Sequence, residues 1–185
     1  MSAVAEIQVG GTIPAQSVKE SAPDAATPLE LKGKNIIVGV PGAFTGTCHA
    51  QVPGYIEAYD EFKAKGVNEI YIFAVNDVFV TKCVKPSLCS YHEPELIRWL
   101  RRAWKDNLAP SGSNVHFIAD DNAAFANSVG LAFDATPVLG GHRSKRDDLQ
   151  RYVIVTDDDK VSSIAVEADP GKLTITSAAN VLAQL

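Results

Sequence analysis

Short apolar runs alternate with amphipathic stretches along most of this chain. Two runs, Asn35 to Val40 and Glu69 to Val75, have the length and the continuous apolar character of strands buried on both faces. Between them, apolar residues from Val52 to Phe62 recur at spacings of three or four residues, as on one face of a helix, and Gly66 follows as a natural stop. This part of the chain is predicted to form a strand, a helix and a second strand.

The same alternation continues in the second half of the chain. Val115 to Ala119 is predicted to be a third core strand. Asp121 and Asn122 are then expected to cap a short helix from Ala123 to Val129.

The C-terminal part has the pattern of a hairpin followed by a helix. Apolar runs at Arg151–Thr156 and Lys160–Glu167 flank three consecutive aspartates, which predicts a hairpin turn. Ser177 is expected to cap a final helix. Strands interleaved with helices indicate an α/β fold with a mixed central sheet, in a single domain spanning residues 1–185.

Composition excludes several classes of function. The net charge is −5, which gives no basic footprint for nucleic acid. The longest apolar stretches are strand-sized, well short of the roughly 20 residues that a membrane-spanning helix needs, so no membrane partner is expected.

Three cysteines do not suit a disulfide framework, and no secretory signal is visible, which favours a reducing, cytoplasmic location. The tripeptide Ala183 to Leu185 loosely resembles a peroxisomal address, but its middle residue is neutral, so this location is a second expectation.

Cys48 lies where a cysteine is well placed for chemistry. It closes the segment Pro41 to Cys48, which follows the first predicted strand and precedes the predicted helix. Backbone N–H groups at a helix start lack partners, and the helix dipole is positive there, so a negatively charged sulfur is stabilised. Cys48 is therefore a candidate nucleophile, and the alternative is that it packs as a small buried apolar residue.

Thr45, three residues before the cysteine, is a second candidate. Its hydroxyl and the sulfur of Cys48 can face one small cavity, where a hydroxyl both accepts and donates hydrogen bonds. The alternative is that Thr45 caps the helix as its N-cap residue. Capping and catalysis are compatible roles.

The spacing Pro-x-x-x-Thr-x-x-Cys favours chemistry over packing. In the setting V-P-G-A-F-T-G-T-C it resembles the active-site signature of the peroxiredoxins, specifically the group of mammalian peroxiredoxin V, plant type II enzymes and related fungal proteins. Further matches are V-P-G-Y-I at 52–56, K-A-K-G-V at 63–67, V-N-D-V-F-V at 75–80, A-D-D-N-A-A-F-A-N-S-V-G-L at 119–131 and R-Y-V-I-V at 151–155. The resemblance extends from about residue 33 to the end of the chain.

This resemblance implies a thioredoxin-like fold and a thiol-dependent peroxidase that reduces hydrogen peroxide and alkyl hydroperoxides. Cys48 would be the peroxidatic cysteine, whose thiolate attacks one peroxide oxygen and becomes a sulfenic acid. Thr45 would hold the peroxide by hydrogen bonds, and Pro41 would shield the sulfur. The family needs neither a metal nor an organic cofactor.

The resemblance also implies an arginine at a strand start, which stabilises the thiolate and the transition state. Arg151 occupies the matching place, directly before the predicted strand at Tyr152. Arg143 and Arg146 are rivals, because family members often read R-S-K-R directly into this strand, whereas D-D-L-Q intervenes here. Adjacency to the strand favours Arg151.

The chain departs from its relatives at two positions close to the cysteine. Gly46 stands where relatives commonly have proline, and Gln51 is found where they have a histidine a few residues after the cysteine. Glycine is expected to loosen the loop slightly.

The largest departure is an inserted segment near residues 81–113, which contains Cys83 and Cys89. A sulfenic acid is resolved by a second thiol, so a disulfide between Cys48 and Cys83 is one hypothesis, with Cys89 as the second candidate and an external thiol as the third. A zinc site built from Cys83, Cys89 and His92 is disfavoured, because their spacing forms no C-x-x-C pair and no fourth ligand is evident.

The expected partners follow from the same resemblance. Thioredoxin, glutaredoxin or a low-molecular-weight thiol would return the oxidised cysteine to the thiol, and the protein would be a homodimer. The alternative function is that of a redox sensor or interaction protein that passes oxidation on to a partner.

Overall fold

A seven-stranded mixed sheet forms the centre of the structure, a computed structural model that describes residues 4–81, 104–109, 111–134 and 147–185. The strands of this sheet are β1 (Ser17–Ala22), β2 (Ala25–Pro28), β3 (Lys34–Val40), β4 (Val67–Ala74), β5 (His116–Ala119), β8 (Tyr152–Asp157) and β9 (Lys160–Val166). A separate pair consists of β6 (Ala132–Asp134) and β7 (Asp147–Leu149). The helices are α1 (Gly46–Glu57), α2 (Tyr59–Ala64), α3 (Val78–Thr81), α4 (Trp104–Leu108), α5 (Ala124–Ser128) and α6 (Ala178–Gln184).

The strand order in the large sheet is β2-β1-β5-β4-β3-β8-β9. β3, β4 and β5 run parallel to one another, and every other neighbouring pair is antiparallel. The predicted α/β architecture with a mixed sheet and flanking helices is therefore confirmed. The hairpin of β8 and β9 is confirmed as well, with Asp158 in the left-handed region at its turn.

Successive residues of the central strands face two different core layers, as the two-residue repeat of a strand requires. Val153 and Val155 pack into the layer that contains α1, α4 and α6, while Tyr152 and Ile154 pack into the layer on the opposite face with α5. Fully burying an aliphatic side chain of this kind contributes roughly 1.5–3 kcal/mol. The strand that follows Arg151 is thus held firmly from both sides.

One local feature has no counterpart among the sequence predictions, and another differs from them. The polar opening of the chain forms the β1–β2 hairpin, whose outer strand is exposed and held by backbone pairing rather than by an apolar face. The short helix begins one residue later than predicted, because Ala123 is in the left-handed region. The N–H of Ala124, the first residue of this helix, donates to Oδ1 of Asn122 at 3.2 Å, and those of Phe125 and Ala126 donate to the buried Asp120 at 3.0 Å each. Of the two predicted capping residues, Asn122 therefore accepts from a helical N–H, whereas the Asp121 carboxylate pairs with Lys19.

The first long helix also ends differently from the expectation. The apolar spacing predicted one helix through Phe62, whereas α1, with Pro53 inside it, ends at Glu57. The interruption before α2 falls at Ala58. The final helix agrees with prediction, because the Ser177 hydroxyl accepts from the N–H of Asn180 at 3.3 Å.

Some sequence predictions fall on residues that the structure does not describe. They concern most of the inserted segment near 81–113, which is described only at 81, 104–109 and 111–113. They also concern the thiols Cys83 and Cys89, His92 of the disfavoured zinc site, and the rival arginines Arg143 and Arg146. The single domain over residues 1–185 stays a prediction for the same reason. Within the described residues, no helix is long and apolar enough to span a membrane, and no group of three or more His, Cys, Asp or Glu side chains could hold a metal ion.

We predict that Gly39→Ala destabilises the fold strongly. A Cβ at this position in β3 would lie 2.2 Å from the ring of Tyr152, which is fully buried and cannot move aside. Overpacking of this kind lowers the free energy of unfolding by about 1–3 kcal/mol or more, and urea denaturation measures it. Gly46→Ala is the matched control: its Cβ meets nothing within 4 Å, so unchanged or slightly higher stability is expected. Equal stability of the two variants would contradict this packing.

Candidate active site

The loop between β3 and α1 is held in place by its own hydrogen bonds and by the end of β4. Asn76 follows β4, and its Oδ1 accepts from the N–H of Ala43 at 2.8 Å. The Thr45 hydroxyl donates to the carbonyl of Gly42 at 3.0 Å. Phe44 adopts φ 61°, a conformation that is rare for a residue with a side chain. The loop therefore has one defined shape at the carboxyl ends of two neighbouring parallel strands.

Cys48 lies in the first turn of α1, as the third residue of the helix. The first intrahelical bond joins the N–H of His49 to the carbonyl of Thr45 at 2.8 Å. The N–H groups of the three preceding helical residues, that of Cys48 included, consequently have no acceptor within the helix. The Cys48 side chain is 0% exposed and packs in the core layer with Val52 and Tyr55. Its sulfur thus lies at the positive end of the helix, away from bulk water.

Thr45 occupies the N-cap position of α1, as predicted, but its side chain makes no capping hydrogen bond. Its hydroxyl bonds to Gly42 inside the loop instead. Pro41 opens the same loop directly after β3 and is half-buried. The capping interpretation of the Thr45 hydroxyl is therefore wrong, and the hydroxyl lies in the loop that leads to Cys48.

Arg151 makes the hydrogen bond to the cysteine sulfur: its Nη2 donates to Cys48 Sγ at 3.3 Å. The strand register explains the contact. Tyr152 pairs with Gly39 in the antiparallel β3–β8 ladder, so the residue before Tyr152 falls beside the end of β3, where the active-site loop begins. Alternation along β8 turns Arg151 to the core layer that contains Cys48. Arg151 as a whole is 1% exposed.

The other nitrogens of the guanidinium are also engaged. Nε donates to the carbonyl of Pro170 at 2.9 Å, and Nη1 donates to Oε1 of Gln51. Neither of these partners is charged, so the sulfur of Cys48 is the contact that can carry a balancing negative charge. Three nitrogens with three separate acceptors fix the plane of the guanidinium.

Gln51 is a site residue that the sequence indicated only as a departure from its relatives. It is 2% exposed, and its Nε2 donates to the carbonyl and to the hydroxyl of Thr176, at 3.0 and 3.2 Å. The signal that could have identified it is its position three residues after Cys48, which places both side chains on one side of the helix. The contact with Thr176 joins residues 125 positions apart in the chain and is not visible in a local pattern.

Glu167 lies just after β9 and is surrounded by hydrogen-bond donors. Its Oε1 accepts from the N–H groups of Thr174 and Thr176 at 2.7 and 3.0 Å and from the Thr176 hydroxyl at 2.9 Å, and its Oε2 accepts from the Thr174 hydroxyl. Burial raises the pKa of this carboxyl, but the hydrogen bonds from Thr174 and Thr176 together outweigh burial and lower its pKa to about 2. Glu167 is therefore ionised at neutral pH.

Comparison with known proteins agrees with this geometry. The model of the Redoxin family matches residues 8–182. The chain belongs to the Redoxin family. Peroxisomal membrane associated protein 20 of Schizosaccharomyces pombe is 39% identical over 180 residues, which cover 97% of this chain and 99% of that protein. Peroxiredoxin-2B of Arabidopsis thaliana is 34% identical over 185 residues, with 99% and 98% covered.

A solved structure supports the same assignment. Reduced Prx3 of Vibrio vulnificus in complex with hydrogen peroxide is 29% identical, has a TM-score of 0.75, and is matched over 97% of this chain and 99% of its own. The predicted thioredoxin-like peroxiredoxin fold and the predicted family are confirmed. The chain is a Redoxin-family protein of the thiol-dependent peroxidase class.

We predict that Arg151→Lys lowers the rate constant of this Redoxin-family peroxidase for hydrogen peroxide by about 100-fold, the size of effect expected when one preorganised donor is lost. A lysine ammonium cannot reach Pro170, Gln51 and Cys48 as a planar fork does. Rapid-mixing kinetics measures the rate, and urea denaturation shows whether the variant is folded. A folded Arg151→Lys variant with the wild-type rate would rule out this role of the guanidinium.

Proposed function

We propose that Cys48 is the peroxidatic residue of this thiol-dependent peroxidase, acting on hydrogen peroxide and small alkyl hydroperoxides. The observation that carries the proposal is the buried contact of 3.3 Å between the Arg151 guanidinium and the Cys48 sulfur at a helix start. The thiolate attacks one peroxide oxygen, the S–O bond forms and the O–O bond breaks. The second oxygen takes a proton and leaves as water or an alcohol, and the sulfur is oxidised to sulfenic acid.

The residues around the sulfur have separate roles in this proposal. Arg151 supplies positive charge to the thiolate and then to the oxygen on which charge develops as the O–O bond breaks. The N–H groups in the first turn of α1 act in the same direction. Thr45 turns its hydroxyl from the Gly42 carbonyl to the peroxide, and Pro41 limits the access of water to the sulfur. A cysteine that is 0% exposed favours small peroxides over bulky ones.

Catalytic turnover tests this proposal. Wild-type protein with a thiol reductant should consume many equivalents of hydrogen peroxide, and Cys48→Ser should lose this activity, because an alcohol is a far weaker nucleophile than a thiolate. Cys83→Ser and Cys89→Ser are the controls for the first oxidation step, which they should leave unchanged. A wild-type protein that is oxidised once and does not turn over would favour the sensor function, and a Cys48→Ser variant with full turnover would refute the role of Cys48.

The route back to the thiol uses a second thiol, for which Cys83, Cys89 and an external thiol are the candidates. A disulfide requires the two Cβ atoms to lie about 3.5–4.5 Å apart. Because Cys48 is packed in the first turn of α1, that turn has to open before its sulfur can reach any partner. Thioredoxin, glutaredoxin or a small thiol then supplies the electrons.

We predict that hydrogen peroxide converts Cys48 into a disulfide with Cys83 or, as the second choice, with Cys89. Mass spectrometry of tryptic peptides after nonreducing electrophoresis identifies the linkage. The variant that lacks the true partner should lose the cross-link and accumulate sulfinic acid at Cys48, while the other variant behaves like wild type. Sulfinic Cys48 without any cross-link in the wild type would exclude a resolving role for both thiols.

We also propose that the protein is a homodimer. Phe44 and Phe79 are 50% and 58% exposed, and both belong to segments that the Asn76 side chain joins at the carboxyl end of β4. Contiguous exposed apolar patches mark association surfaces, and we propose that these two aromatic side chains belong to one such patch. Sedimentation velocity of wild type and Phe79→Asp tests the proposal, and a monomeric wild type would contradict it.

Two cellular locations are supported. The three cysteines favour the cytoplasm, and the name of the Schizosaccharomyces pombe relative favours the peroxisome. We place the protein in the cytoplasm. Microscopy of a fluorescent protein fused to the N-terminus, which leaves the C-terminal tripeptide unmodified, distinguishes the cytoplasm from the peroxisome.

A further inference from the structure

A single series of hydrogen bonds connects the reactive sulfur to a buried carboxylate that lies outside the catalytic set. It begins with the hydrogen bond from Arg151 to the Cys48 sulfur and continues from Arg151 through Gln51 to Thr176. It ends where the Thr176 hydroxyl donates to Glu167 at 2.9 Å. All five side chains are buried, so water does not compete for these bonds. The series is continuous from the β8 start through α1 to the turn before α6.

The direction of these hydrogen bonds is determined at the carboxylate end. Ionised Glu167 can only accept, so the single proton of the Thr176 hydroxyl is directed to it. The hydroxyl oxygen is therefore left as an acceptor for Gln51. The Thr176 carbonyl is a second acceptor for Gln51, and it also accepts a hydrogen bond from the Tyr55 hydroxyl at 2.7 Å. Thr176 thus presents two acceptors to Gln51 and no donor.

The orientation of the Gln51 amide follows from these two acceptors. Its NH₂ group has to face Thr176, so its carbonyl oxygen faces Arg151. A reversed amide would place oxygen against the acceptors of Thr176 and NH₂ against the guanidinium, leaving both ends without partners. Buried polar groups without partners are costly, so one orientation is strongly preferred.

We infer that Thr176 is a positioning residue, which with Glu167 orients Gln51 and thereby holds the Arg151 guanidinium against the Cys48 sulfur. The inference rests on the proposed function of Cys48 and deepens it. Thr176 touches neither the sulfur nor the peroxide, and it acts through Gln51. The turn from Glu167 to Thr176 is therefore part of what keeps the site ready for peroxide.

The test compares two substitutions at one position. Thr176→Val removes the hydroxyl and keeps the shape, so we expect the rate constant for hydrogen peroxide to fall about 10-fold, as slight misplacement of a catalytic group does. Thr176→Ser keeps the hydroxyl, and we expect a rate within about twofold of wild type. Thr174→Val is the matched control: it also removes a threonine hydroxyl from Glu167, but that hydroxyl has no contact with Gln51. We expect it to lower stability and to leave the rate within about twofold.

A second variant covers the case in which Thr176→Val does not fold. Gln51→Met fills the same space without hydrogen bonds and should slow the reaction to a similar extent. The double variant Gln51→Met/Thr176→Val, where folded, should be no slower than Gln51→Met alone, because both substitutions interrupt one series.

The outcomes separate this inference from the proposed function. A folded Thr176→Val or Gln51→Met variant that reacts as fast as wild type overturns the inference and leaves the role of Cys48 intact. Thr174→Val as slow as Thr176→Val also overturns it, because loss of any Glu167 contact would then suffice. If wild type does not react with peroxide, the proposed function fails. In that case the rate of Cys48 alkylation by iodoacetamide still tests the inference. We expect slower alkylation in Thr176→Val than in Thr176→Ser, and equal rates would contradict the inference.

Discussion

The contact between the buried guanidinium of Arg151 and the sulfur of Cys48 is the interaction on which the site depends. A buried cation is costly unless opposite charge and hydrogen-bond acceptors surround it. The partners of this guanidinium are two neutral oxygens, on Pro170 and Gln51, and one sulfur. Of these three partners, the sulfur of Cys48 is the one that can carry a negative charge. The same arrangement would serve the proposed reaction, because a cation at the sulfur would also lie beside the oxygen atoms of an incoming peroxide.

The sheet brings the two groups together although they are 103 positions apart in the chain. The antiparallel β3–β8 pairing sets the residue before Tyr152 beside the loop that follows β3. Gly39 is required at this point, because the Tyr152 ring lies over it. The packing of Tyr152 and Ile154 in one layer and of Val153 in the other prevents the strand from slipping by one residue, which would turn Arg151 to the wrong face.

Several parts of this arrangement could be predicted from the sequence because their signals are local. Apolar runs identified β3, β4, β5 and the β8–β9 hairpin, and the motif ending at Cys48 identified the candidate nucleophile. The position of Arg151 directly before a strand indicated the arginine that contacts the Cys48 sulfur, while its rivals Arg143 and Arg146 lie outside the described residues. Other parts were not predictable in this way. The outer strand β2 of the first hairpin has no buried face, and Asp120 accepts from N–H groups of a helix that starts four residues later.

The contacts of Gln51, Thr176 and Glu167 could not be predicted for a related reason. Each residue type is common, and their meeting depends on how the turn before α6 packs against α1. Only the folded chain shows that the Thr176 hydroxyl has a donor role to one neighbour and an acceptor role to another. The residues that determine this geometry therefore lie in segments that carry no sequence motif.

If Cys48 is the peroxidatic residue, oxidation begins at its sulfur. Dimedone present during the addition of one equivalent of hydrogen peroxide traps the first sulfenic acid, and peptide mass spectrometry locates it. We expect the adduct on the peptide that contains Cys48. An adduct at Cys83 or Cys89, with Cys48 unmodified, would contradict the account.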